Sequence, residues 1–476
     1  MAFDSFQFVV FVSVFIAGLR FIRAPWLREL VICLSSTFFV LCFVDSLTEI
    51  IPLVLFITLA YLGILTVSIV KHKIIFSFLL TVLVIYFIWL KKYEAIASLP
   101  QLNFSYLVIG ISYILFRSIH VVVDVYEGVI ERPSPFRFFC YCLFFPTFVS
   151  GPILRYERYV EELHAPSKPL SILKFNSALA RLLRGFLLLF VVGRLAREIT
   201  MAIERAFYTA PQSALLEGSF LLAVAAILFL IYLYINFSGY MDIVVSIAEL
   251  SGIHIPENFN RPWESKNFLD LWSRWHITLS EWFKFYIFTP ITKGLSKLLG
   301  ERSLLSAGII AFFVTFLVMG LWHGTSSLFF FYGIFLGTGV VVNRLWQLGL
   351  VRLISKSGYR ELCKFKSYVH ISRGLALSYF AMSLVCIWVD VNQISKLASP
   401  HGIIGSILSF ALLTTVISII SLASGIESSR EISRSIYTIV FQRFNRTRWL
   451  VIGVFSVSTI LLVLSGGTEE IVYKGF

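Results

Sequence analysis

Apolar runs of about 18 residues or more, separated by short charged patches, dominate this chain from end to end. A helix of that length matches the hydrocarbon thickness of a bilayer, so each run reads as a candidate membrane span. Roughly a dozen such candidates can be drawn. Composition agrees, because 58% of the 476 residues are hydrophobic and only 14% are charged, against about 25% charged in soluble domains. The sequence therefore predicts an all-α polytopic membrane protein.

The net charge of +13 does not indicate nucleic acid, since the basic residues cluster between apolar runs and form no stripe interleaved with stacking aromatics. Cationic loops on the cytoplasmic side are what membrane topology requires. Cys33, Cys42 and Cys386 lie inside apolar runs, and the Cys140, Cys142 pair alone makes neither a zinc site nor a disulfide framework. No Walker loop, dinucleotide fingerprint, H-E-x-x-H or tandem soluble repeat is present.

The first run, Phe6 to Ala17, follows Asp4 and is trailed by Arg20, Arg23 and Arg28. That is the reverse of a cleavable signal peptide and predicts a first span with the N-terminus outside. Runs at 29–44, 50–70 and 74–90 follow, with Asp45 and Glu49 in one loop and Lys71, His72 and Lys73 in the next, an alternation that keeps the N-terminus outside. The run from Asn103 carries Arg117, His120 and Asp124 at helical spacing. Ionisable groups at membrane depth face a bundle interior or a wet cavity, and the favoured reading is that Arg117 and Asp124 neutralise neighbours or snorkel. Pro146 then interrupts an aromatic helix and Gly151-Pro152 makes a turn, so 146–155 is either a cavity wall and access lip or a simple helix end.

Between Ser171 and Arg197, Lys174, Arg181, Arg184, Arg194 and Arg197 lie among leucines, which suggests an interfacial helix against anionic headgroups. A span at 216–235 runs into Asn236, Ser238, Gly239, Tyr240 and Asp242, which need buried partners. Asn258, Asn260 and Arg261-Pro262 form a turn, with Ser265 or Asn267 as helix cap. From Phe268 to Tyr286 the spacing predicts one amphipathic helix lying in the membrane interface, with Trp272, Trp275 and Trp282 on its apolar face and His276 near the border, beside Trp272, Trp275 and Ser280. The run from Leu304 ends on Trp322-His323-Gly324, and glycines at 320 and 324 let another helix approach. His323 is an intramembrane histidine, so it is a site candidate or a tie between helices. Residues 344–373 read as a basic cytoplasmic loop, followed by spans at 374–389 and 402–423, a second basic loop from Arg430 to Arg448, and a last span at 449–465 that puts the C-terminus outside.

These motifs carry a resemblance. GISY with VDVYEG, FFPTFVSGPILRY, NFSGYMDI with GIHIPENFNRP, LWSRWHITLSEWF and GLWHG are similar, in order and spacing, to the membrane-bound O-acyltransferase (MBOAT) family. The similarity is to its bacterial branch of alginate O-acetyltransferase-like and teichoic-acid D-alanyl transfer proteins, and it covers about 110–340. It implies a ring of roughly a dozen helices around a funnel with interfacial helices, in one domain over 1–476, with spans at 1–102, a core at 103–345 and further spans and basic loops at 346–476. It also implies the bacterial cytoplasmic membrane as location. Lys284-Phe285-Tyr286 and Thr289-Pro290-Ile291-Thr292 depart from the family's usual text at that place.

The family's essential histidine falls on His323 and its assisting histidine on His276. What the resemblance implies is transfer of an acyl group, in this branch an acetyl or D-alanyl group, from a cytoplasmic thioester to a hydroxyl on the far side of the membrane. Such chemistry needs a base for the hydroxyl proton and donors for the tetrahedral oxyanion, and histidine, with a pKa near 6.5, suits the first task. His323 is then the base, and His276 positions the thioester or donates to the oxyanion. Asn258, Arg261, Trp275 and Trp322 are candidates to shape the site, with Asp124 and Arg155 as further candidates. No tightly bound cofactor or metal is implied; the donor is acetyl-CoA or an acyl carrier protein thioester. The implied partners are the lipid bilayer and an extracytoplasmic glycan or an SGNH-hydrolase-like acetyltransferase, with no nucleic acid. The competing class is a transporter or channel whose buried histidines and charges line a path, although no inverted repeat is visible.

Overall fold

A computed structural model describes residues 6–165, 170–211, 214–300, 303–389 and 394–423. Its helices are α1 (Phe6–Phe21), α2 (Pro25–Leu41), α3 (Ile51–Ile69), α4 (Lys73–Lys91), α5 (Ile111–Glu127), α6 (Pro135–Leu143), α7 (Tyr156–His164), α8 (Ile172–Leu187), α9 (Gly193–Thr209) and α10 (Leu215–Ser251). They continue with α11 (Phe268–Trp272), α12 (Ile277–Phe283), α13 (Thr289–Leu299), α14 (Leu304–His323), α15 (Ser327–Leu362), α16 (Lys366–Ser383), α17 (Val385–Trp388), α18 (Ile394–Ala398) and α19 (Pro400–Ala423). Among the described residues, seven helical segments are long and apolar enough to cross a membrane. The protein is a multi-pass membrane protein. Helices α1, α2 and α5 are not among these seven, being 16, 17 and 17 residues long. The Arg430 to Arg448 loop, the 449–465 span and the C-terminus lie outside the described residues.

Two compact units emerge, 6–190 with 237–257, and 191–236 with 258–423. In the first, guanidinium groups turn inward. Arg20 donates to the carbonyls of Glu249 and Leu250 at 2.8 and 2.6 Å, and buried Arg28 to those of Leu163 and Ala165 at 3.0 and 2.8 Å. Each thereby closes a helix C-terminus, where orphan carbonyls and the dipole favour a cation. Arg117 is buried and donates to the carbonyls of Tyr141, Cys142 and Thr147 at 2.8, 2.7 and 2.8 Å, and to the Thr147 hydroxyl. These are the backbone groups released where α6 ends ahead of Pro146, so the broken helix is satisfied by a buried cation. Asp242, one of the polar interruptions in α10, meets Arg181 at 2.9 Å and Arg184 at 2.7 Å.

In the second unit α14 and α15 form a tight antiparallel hairpin. A Cβ on Gly320 would collide with the backbone of Gly333, and one on Gly324 with the Phe329 ring. The predicted loop at 344–373 is instead helical, with α15 continuing to Leu362 across a break at Ser355 (φ 64°) and α16 beginning at Lys366. Arg373 is 2% exposed and bonds Ser421 and the Glu264 carbonyl, so it is a packing residue rather than a solvated loop charge.

Candidate active site

The single helix expected over Phe268–Tyr286 is broken at its histidine. After α11, residues 273–276 leave helical geometry and His276 adopts the left-handed conformation, φ 46° and ψ 54°, before α12 begins. A non-glycine residue there carries a strain of order 1 kcal/mol or more and persists only when its surroundings enforce it. Trp272, Trp275 and Trp282 are 5, 4 and 4% exposed, so this face packs against protein rather than lipid. Beyond α12, Lys284–Phe288 forms a π-helical turn, which is where the sequence leaves the family's pattern; such turns insert an extra residue.

The enforcement comes from the preceding loop. Phe259 and Trp275 form an antiparallel bridge, and the Asn260 amide donates to the Arg274 carbonyl at 2.9 Å. Asn258 is fully buried. Its backbone carbonyl accepts from Ile277 N at 3.0 Å, and its Oδ1 accepts from Thr278 N at 3.2 Å and the Thr278 hydroxyl at 2.6 Å. His276 makes no side-chain cap bond. A residue eighteen positions away in sequence thus caps α12 and leaves the imidazole free of that duty.

His323 ends α14 at the corner of the hairpin. Its ring lies 4.9 Å from Trp322 and 5.7 Å from Tyr332, centroid to centroid. His276 and His323 are 1 and 7% exposed and close enough for a charge on one to oppose a charge on the other. Burial first, and His323 second, hold the His276 imidazole well below its usual pKa.

The remaining candidates divide. Trp275 packs on Phe259, Phe380 and Tyr234 at 5.1, 5.1 and 6.2 Å. Arg261 is also left-handed (φ 46°) and pairs with Glu264 at 3.4 Å, beside Arg274, which meets Asp270 at 3.2 Å. Both brace the turn. Asp124 and Arg155 belong to the first unit. Asp124 contacts His120 Nδ1 at 3.2 Å, while His120 Nε2 accepts from Tyr156 N at 2.9 Å, directly after Arg155 at the start of α7. That arrangement fixes a helix start. No grouping of three or more His, Cys, Asp or Glu able to hold a metal occurs among the described residues.

One residue beside the histidines was not singled out from sequence. Tyr332 lies nine positions beyond His323 with nothing but hairpin geometry to mark it. The Trp272 indole nitrogen and the Ser280 hydroxyl, at i−4 and i+4 from His276, are buried with no hydrogen-bond partner among the described residues. Both were read from sequence as neighbours of His276 on one continuous helix, which the break over 273–276 interrupts between Trp272 and His276.

A multi-pass helical membrane protein with two buried histidines near one another is the class these features define. A family model for MBOAT, the membrane-bound O-acyltransferase family, matches residues 102–387, and the chain belongs to that family. It is 32% identical over 232 residues to a Teichoic acid D-alanyltransferase of Bacillus subtilis, covering 48% of this chain and 56% of that protein. A protein of the same name from Streptococcus thermophilus is 30% identical over 242 residues, 50% of this chain and 57% of its own. "Probable alginate O-acetylase AlgI" of Pseudomonas putida is 30% identical over 245 residues, 51% of this chain and 46% of its own. The chain spans about half the length of the curated relatives it matches.

Proposed function

We propose that this protein is an O-acyltransferase that moves an acyl group, most simply acetyl, from a cytoplasmic thioester to a hydroxyl of an extracytoplasmic glycan, or to a partner that delivers it there. The observation that carries the reading is the juxtaposition of His323, at the α14–α15 corner, with His276, held in a strained turn by Asn258. His323 takes the acceptor's hydroxyl proton as the oxygen attacks the thioester carbonyl. When the tetrahedral intermediate collapses, the C–S bond breaks and the same proton passes to the departing thiolate. His276, kept neutral by burial, retains one N–H with which to orient the thioester or stabilise the oxyanion. Asn258, Arg261, Trp275 and Trp322 hold these two rings in place; Asp124 and Arg155 act on the fold of the first unit.

The cytoplasmic side is read from the basic end of α13, with Lys293 and Lys297 just ahead of α14, and the location as the bacterial cytoplasmic membrane. A D-alanyl group from a carrier protein is the second reading, supported by the resemblance to the Teichoic acid D-alanyltransferases. Purified protein in vesicles, supplied in turn with labelled acetyl-CoA and with D-alanyl-loaded carrier protein, separates the two. Movement of a solute without any acyl transfer would instead establish the transporter class.

A further inference from the structure

Trp272 carries a polar group that the mechanism above leaves unused. Its side chain is 5% exposed, and its indole N–H has no hydrogen-bond partner among the described residues. The aromatic rings packed on it are Phe316 at 4.9 Å, Phe380 at 5.6 Å and Phe268 at 6.1 Å, none of which offers a strong acceptor. Burying an unsatisfied donor costs stability. A phenylalanine here would avoid that cost while keeping an aromatic ring.

The position of the ring along α14 indicates what the donor meets. Phe316 precedes His323 by seven residues, which places both on one face about 10 Å apart along the axis. Trp272 therefore sits two turns below His323, on the side toward Lys293 and Lys297 from which a cytoplasmic thioester approaches. Thioesters of coenzyme A and of acyl carrier proteins share a pantetheine arm. Its second amide carbonyl carbon lies about nine bonds from the thioester carbon, roughly 10 Å when the chain is extended at about 3.5 Å per three bonds.

We propose that the Trp272 indole N–H donates a hydrogen bond to the second amide carbonyl of the pantetheine arm, fixing the depth at which the thioester meets His323. The proposal rests on the thioester-donor reading above, and it makes Trp272 a substrate-positioning residue. It applies to both donor sources, since the arm is common to them.

The test is a cycle of two proteins and two probes, wild type and Trp272→Phe against S-acetylpantetheine and N,S-diacetylcysteamine, which lacks the second amide. Binding to the purified protein is measured by calorimetry. The expected result is that Trp272→Phe weakens S-acetylpantetheine about five- to tenfold, the size of one hydrogen bond, and leaves N,S-diacetylcysteamine unchanged. Equal weakening of both probes, or of neither, overturns the proposal, because a packing defect does not distinguish them. If Trp272→Phe fails to fold, wild type is tested with an S-acetylpantetheine analogue whose second amide carbonyl is a methylene; undiminished binding overturns the proposal and a five- to tenfold loss supports it. If wild type binds neither probe, the thioester-donor reading itself fails, an outcome distinct from failure of the Trp272 assignment.

Discussion

Asn258→Ala removes the side-chain acceptor for Thr278 N and the Thr278 hydroxyl, at 3.2 and 2.6 Å, in a fully buried setting. Loss of a helix cap costs about 1 kcal/mol, and depriving a buried hydroxyl of its acceptor about 1–3 kcal/mol more. The sum, roughly 2–4 kcal/mol, falls on the segment that forces His276 into left-handed geometry. Asn258→Ala should therefore lower the apparent Tm in detergent by several degrees. It should also slow acyl transfer on the order of 100-fold, the usual penalty for misplacing a catalytic group by about 1 Å. Asn258→Asp keeps an acceptor over the α12 N-terminus and should recover most of the stability. An unchanged Tm in Asn258→Ala would refute the capping argument. A raised donor KM in Asn258→Asp at normal Tm would instead make the amide a substrate ligand.

Four further outcomes follow from the structure. His276→Gly relieves the φ of 46° and should keep about 1–2 kcal/mol more stability than His276→Val, which must hold a β-branched side chain there; both should lose transfer, and equal Tm values would remove the strain argument. Because burial holds the folded His276 pKa below the unfolded value near 6.5, the unfolded state binds the proton first. Stability contributed by this group is thus complete above that pH and declines as pH falls below it; His276→Asn should flatten the acid slope of Tm against pH. Gly320→Ala forces α14 from α15 at Gly333 and should cost about 1–3 kcal/mol and most of the activity. Arg117→Met strands three carbonyls and should cost about 3–5 kcal/mol, read as loss of folded protein on size exclusion.

The helical, multi-pass character was legible because it depends on run length alone, and the burial of His276 and His323 because both stand inside apolar text. The break at His276 was not legible. Trp272, Trp275, Leu279 and Trp282 keep helical periodicity through it, and the residue that enforces it, Asn258, acts across eighteen positions. The same limit hid the helical state of 344–373, where basic residues suggest a loop although α15 and α16 continue through most of it. Asp124 was legible as a buried charge, but its duty through His120 at the start of α7 depends on a tertiary contact.

The central claim is that His323 carries the chemistry. Its most direct test is acyl transfer by vesicle-reconstituted His323→Ala beside wild type, with membrane insertion and Tm measured on the same preparations. The account predicts transfer at or below about one thousandth of wild type, the span of general acid–base catalysis, with insertion and folding retained. Transfer at the wild-type rate by a normally inserted His323→Ala protein would contradict it.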